Sequence, residues 1–256
     1  MTKQEIKQNY KLEKRIAKLE YRAVRTQVRA AYRDQMQIYH AQTDKQDVVN
    51  PPKRSVLEEI GNAVTHGVGA LLAVGALLAM LFASDRPSEY IAACIYAFGL
   101  IVMCTMSCLY HSFRHGSAVK RLFRRFDYCC IYLLIGATFA PLLLCYIGGT
   151  LGITFFCVQW AIIAAGITFI GVFGPTKLKI LHYVLYFVLG WSALLFIPQM
   201  IANDVLFFLF ILAGGIIYSL GVIPFLIKKK ASHFIWHFFV LAGAAVQRVG
   251  IYLYLY

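Results

Sequence analysis

From residue 60 onward the chain alternates between long apolar stretches and short polar ones. Seven apolar runs cover about residues 60–83, 90–111, 127–148, 150–172, 179–199, 205–227 and 233–255. Each is close to the ~20 residues that a helix needs to cross a bilayer. The pattern predicts an all-α integral membrane protein, a bundle of seven transmembrane helices. The short connections make consecutive helices up-and-down neighbours. Gly148-Gly149 reads as a tight turn and Gly174-Pro175 as a break before the fifth helix. Pro141, Pro198 and Pro224 read as kinks, which membrane helices tolerate. Ser55 followed by Glu58 has capping-box spacing, so the first membrane helix is expected to start before its apolar run.

The first 54 residues follow another rhythm. Apolar residues recur at three- and four-residue steps, at Leu12, Ile16, Leu19 and Ala23 and again at Val28, Tyr32, Met36 and Tyr39. That is the pattern of an amphipathic helix. Asn50-Pro51-Pro52 ends it. The chain therefore divides into a basic amphipathic cytoplasmic arm, residues 1–54, and a seven-helix transmembrane domain, residues 55–256. Three readings suit the arm: a helix lying on anionic lipid, a coiled-coil or other protein-binding segment, or a solvated tail.

Composition agrees with a membrane location. Hydrophobic residues make up 60% of the 256, and mean hydropathy is +0.65. Soluble domains are roughly 45–50% apolar. All seven cysteines fall inside apolar runs, which argues against a disulfide framework. The first apolar run begins too far along the chain for a cleavable leader, so the first span is expected to direct insertion.

The net charge of +13 does not call for nucleic acid, because Lys and Arg collect in the cytoplasmic loops of membrane proteins. From Met1 to Arg54 there are 13 Lys and Arg against 6 Asp and Glu. The loop after the second run holds Arg114, Lys120, Arg121, Arg124 and Arg125, the loop after the fourth holds Lys177 and Lys179, and the loop after the sixth holds Lys228 to Lys230. Seven spans put all of these on one side. A protein of the cell membrane with its N-terminus inside and its C-terminus outside is expected.

This topology brings distant polar residues to one membrane depth. His233 and His237 open the seventh helix, Ser107 and His111 close the second, Asp127 opens the third, and Glu59, Asn62 and His66 open the first. Residues four apart share a helix face. Ionisable groups inside a membrane tend to be paired, to bind ions or to line a cavity. Three imidazoles with an open position form the ligand set of a catalytic zinc site. His111, His233 and His237 are the candidate ligands. Asp127 is a candidate to orient a ligand or act as general base, and Ser107 to hydrogen-bond water or a developing oxyanion. Glu59, Asn62 and His66 are candidates for the layer behind. The alternative is an interfacial hydrogen-bonded network that only locks the bundle.

As a set, Glu59-x-x-Asn62-x-x-x-His66, Ser107-x-x-x-His111, Asp127 after a basic stretch and His233-x-x-x-His237 resemble the motifs of the progestin and adipoQ receptor family, whose bacterial branch is known as hemolysin III. The resemblance spans residues 55–256 and leaves the arm outside. It implies seven helices, a cytoplasmic N-terminus, and Zn2+ bound by the three histidines with the aspartate holding its water. It also implies kinship with membrane-embedded lipid amide hydrolases similar to alkaline ceramidases.

Three functions follow. The first is a metal-dependent hydrolase of lipid amides or esters, with membrane lipids as surroundings and substrate. The second is a receptor-like regulator of membrane state with structural zinc. The third is a cytolytic or pore-forming protein. The name of the bacterial branch suggests it, but the sequence gives it little physical support.

Overall fold

The computed structural model describes residues 2–49, 51–227 and 229–256, with side chains of residues 39–49 not described. Asn50, Lys228 and the side chains of Tyr39 and His40 thus lie outside the described residues. The chain forms two compact units, Met1–Asn50 and Pro51–Tyr256. The first is one helix, α1, Lys3–Val49. Its apolar residues Leu12, Ile16 and Leu19 are all exposed.

The second unit has seven helical segments long and apolar enough to cross a membrane. They are α2 (Val56–Ala83), α3 (Pro87–Ser112), α4 (Ala118–Pro141, continued as a π-helical turn, Leu142–Ile147), α5 (Gly149–Phe173), a broken span, α8 (Val205–Leu226) and α9 (Ser232–Leu255). The broken span consists of α6 (Lys179–Gly190), a 3-10 turn (Ser192–Phe196) and α7 (Ile197–Asn203). No strand occurs among the described residues. Seven spans and an apolar exterior, with Leu71, Phe82, Val172 and Leu253 exposed, make this a multipass membrane protein.

Most boundaries follow the local signals. Ser55 caps α2 by accepting from the Glu58 amide at 3.2 Å. Gly148 and Gly149 turn the chain with φ of 61° and 56°, a region that favours glycine. Pro141 precedes the π-turn, and the broken span gives way at Trp191–Phe196, just before Pro198. Pro224 lies in the last turn of α8.

One boundary differs. The third span begins at Ala118, nine residues before the apolar run. Gly116 turns the chain with φ 80°, and the Ser117 hydroxyl caps the helix by accepting from the Lys120 amide at 3.1 Å. Lys120, Arg121, Arg124 and Arg125 are therefore helical, not loop residues. Lys120 is fully buried and Arg124 nearly so.

Around the bundle, α8 packs on α9, α9 on α2, α2 on α3, α3 on α4, and α4 on both α5 and α6. The α8–α9 seam is close because glycines recur on it at seven-residue steps: Gly214 and Gly221 on α8, Gly243 and Gly250 on α9. A Cβ at any of the four would run into the facing helix, at Gln247, Phe239, Tyr218 and Phe210 respectively. Small residues let membrane helices approach closely, where van der Waals packing drives their association.

The turn before α9 is strained. Ala231 has φ 62° and ψ 0°, a left-handed conformation that costs a residue with Cβ about 1–2 kcal/mol. The Ser232 hydroxyl holds it by donating to the Ile227 and Lys229 carbonyls at 2.6 and 2.8 Å. Ala231→Gly is expected to stabilise the protein by about 1 kcal/mol, read as a rise in the thermal unfolding midpoint in detergent.

Candidate metal centre

His111 lies in the last turn of α3, and His233 and His237 in the first two turns of α9. The α2–α9 and α2–α3 contacts bring these helix ends together. Ring centroids are 5.2 Å apart for His111–His233, 5.0 Å for His111–His237 and 5.0 Å for His233–His237. One ligand nitrogen from each lies within 4.8 Å of the other two. The i, i+4 pair thus meets a third imidazole from a distant part of the chain.

The free atoms fit a cation. His111 Nε2, His233 Nε2 and His237 Nδ1 are buried with no hydrogen-bond partner among the described residues. Buried polar atoms are normally satisfied. Each of the three clustered imidazoles thus carries an unsatisfied ring nitrogen, and so does His66 beside them, a donor-rich cluster that an ion would satisfy. An interlocking hydrogen-bonded network would instead have paired these atoms with one another.

His111 is held from behind. Its Nδ1 lies 2.6 Å from Glu59 Oε2, and the Asn62 amide approaches the same atom at 3.3 Å. A proton on Nδ1 donated to the carboxylate leaves Nε2 as the lone-pair nitrogen, the usual arrangement of a carboxylate behind a metal-binding histidine. Glu59 in turn pairs with Lys120 Nζ at 3.0 Å. That ammonium also donates to the Tyr110 and Phe113 carbonyls, both at 3.0 Å, so one buried cation closes the α3 C-terminus and fixes Glu59. His66 stacks on His237 at 3.7 Å, nearly parallel. It stands against the cluster but outside the three-histidine group.

Asp127 and Ser107 line a cavity of about 360 Å³ together with His66, His233 and His237. Ser107 is buried and Asp127 partly so. The cavity is lined from α2, α3, α4, α6, α8 and α9, reaches Gln247, and most of its lining is apolar, with Leu134, Phe187 and Val222 among it. The structure thus brings together all eight residues singled out from the sequence: Glu59, Asn62, His66, Ser107, His111, Asp127, His233 and His237.

Sequence reasoning missed Lys120, because hydrophobicity assigned it to a loop. The available signal was Ser117, three residues ahead and a good N-cap. His182 lies elsewhere: it is buried and its Nδ1 bonds the Tyr132 hydroxyl at 2.9 Å. Arg248 stacks over Tyr252, 5.6 Å from the ring centre.

Residues 54–248 match the family described as Haemolysin-III related. The chain is similar to Hemolysin-3 of Bacillus cereus, with 35% identity over 204 residues, covering 78% of this chain and 92% of that one. It is 33% identical over 205 residues to the Hemolysin-3 homolog of Bacillus subtilis (strain 168), covering 78% and 95%. It is also 33% identical over 214 residues to the Monocyte to macrophage differentiation factor of Homo sapiens, covering 80% and 87%.

Proposed function

The chain belongs to the haemolysin III family, and from that premise we propose that it is a metal-dependent hydrolase of lipid amides or esters, with zinc held by His111, His233 and His237. One observation carries the reading: three imidazoles whose ligand atoms lie within 4.8 Å of one another border, through His233 and His237, a largely apolar cavity about 360 Å³ in volume. That is within the ~300–1,000 Å³ usual for ligand pockets, and the apolar lining suits an acyl chain. Three imidazoles suit zinc, which when bound would supply a Lewis acid that polarises a carbonyl and acidifies water.

The chain's own groups divide the remaining work. Glu59 keeps the proton on His111 Nδ1, so that Nε2 faces the centre. Asp127, on the cavity wall, accepts a proton from the attacking water and returns it to the leaving group. The Ser107 hydroxyl donates to the oxygen on which charge develops. The apolar wall excludes bulk water and aligns the chain of the substrate. Placement at the cytoplasmic face of the cell membrane rests on the basic residues at the same end of the bundle, Arg114, Arg121, Arg125, Lys177 and Lys179.

The test uses purified protein in nanodiscs with a panel of labelled N-acyl and O-acyl lipids. The zinc-loaded wild type is expected to release fatty acid, and a chelator to stop it. Asp127→Asn is expected to retain metal and lose turnover by about 10²–10⁴-fold. Turnover that survives complete metal removal would sink the proposal. A loaded protein that cleaves nothing across the panel would leave zinc a structural role in a regulator of membrane state.

A further inference from the structure

We propose that α1 is a parallel homodimerisation arm, a coiled coil whose partner is a second copy of this chain. This goes beyond the proposed hydrolase and does not depend on it. The seam is written along the helix. Leu12, Ile16, Leu19, Ala23, Thr26 and Ala30 recur at alternating steps of four and three, the spacing of a heptad core in which 16, 23 and 30 are a positions and 12, 19 and 26 are d positions. Asn9 occupies the preceding a position, where a buried Asn sets register and favours two strands. The helix is continuous across the whole seam. Leu12, Ile16 and Leu19 are 58%, 47% and 63% exposed within the single chain, so their burial is left to a partner.

Charge selects that partner and its direction. On one flank of the seam, Glu13, Glu20, Gln27 and Asp34 recur every seven residues, at e. On the other flank Arg15, Arg22 and Arg29 recur every seven, at g. In a parallel pair each g residue faces the e residue of the next heptad on the other helix. Arg15 of one copy then meets Glu20 of the other, Arg29 meets Asp34, and Arg22 meets the neutral Gln27. An antiparallel pair would set Arg against Arg and carboxylate against carboxylate. The seam is therefore complementary to itself, in the parallel sense only. A helix built to lie on anionic lipid needs no regular acidic column beside its apolar stripe.

The test uses the full-length protein in nanodiscs and in detergent. Single cysteines are placed at Leu19, inside the seam, and at Tyr21, outside it, with the protein lacking an added cysteine as the blank. Copper-catalysed oxidation is expected to give a covalent dimer through Leu19→Cys and at least about tenfold less through Tyr21→Cys, because only equivalent d positions of a parallel in-register pair come within disulfide reach. The triple variant Arg15→Glu, Arg22→Glu, Arg29→Glu is expected to be monomeric. So is the variant Glu13→Lys, Glu20→Lys, Asp34→Lys. An equimolar mixture of the two is expected to restore a mixed dimer in a two-tag pull-down. Equal cross-linking at both positions, or charge-reversed chains that pair as well as wild type, would overturn the proposal. So would an arm that stays monomeric and gains protease protection only in bilayers containing anionic lipid, which would make it a lipid-binding helix.

Discussion

His237→Ala is expected to abolish the proposed zinc binding. The substitution takes one imidazole from a cluster whose ligand atoms lie within 4.8 Å of one another. Losing even a partner behind a metal ligand usually costs ~10–100-fold in affinity, so losing the ligand itself is expected to exceed that. Metal analysis of purified protein reads this directly, and lipid turnover should fall with it. The control is His182→Gln. His182 is equally buried but bonds Tyr132 and stands apart from the cluster. Its replacement is expected to lower stability and leave metal content unchanged. Equal metal loss in both variants would mean that general unfolding, and not ligation, explains the result.

Lys120→Met is expected to destabilise the membrane domain by about 3–5 kcal/mol, the range for removing one partner of a buried ion pair. Lys120 is 0% exposed and bridges Glu59 and the carbonyls of Tyr110 and Phe113 at the end of α3. Without it the Glu59 carboxylate keeps only its contact with His111. Lys120→Met combined with Glu59→Gln is expected to recover most of the loss, because neither charge is then stranded. Denaturation midpoints in detergent for the four proteins of the cycle give the coupling between the pair. Metal affinity separates support of His111 from simple packing. It should fall in both single variants, and in the double variant it should stay low while stability returns.

The sequence made the seven spans legible because bilayer thickness imposes a length and a polarity that no other fold class repeats. It also made the clustering of the candidate residues legible. His111, His233, His237, Ser107 and Asp127 each fell at a span end, and counting spans put those ends on one side. Which residues stand behind the three histidines was less clear. Glu59 read equally well as a helix-start carboxylate, and only the packing of α2 on α3 shows it reaching His111 Nδ1. Lys120 was hidden because a charged first turn looks like loop to a hydrophobicity window. The helix start is encoded instead in Gly116 and Ser117, by turn and cap chemistry. The cavity was not legible at all, since its walls come from helices whose lateral order no local pattern records.

The glycine seam holds α8 and α9 in close contact. Two of the three imidazoles stand on α9, and the same pair of helices supplies much of the cavity wall, including Tyr218, Val222 and Trp236. The third imidazole belongs to α3. The spacing of the histidine cluster is thus also the spacing between α3 and the α8–α9 pair, which line the cavity together. If the cluster holds zinc as proposed, a molecule that prefers one separation of those helices also selects one bite for the ion. Linkage would make that preference mutual: the filling of the cavity and the tightness of ion binding would each shift the other.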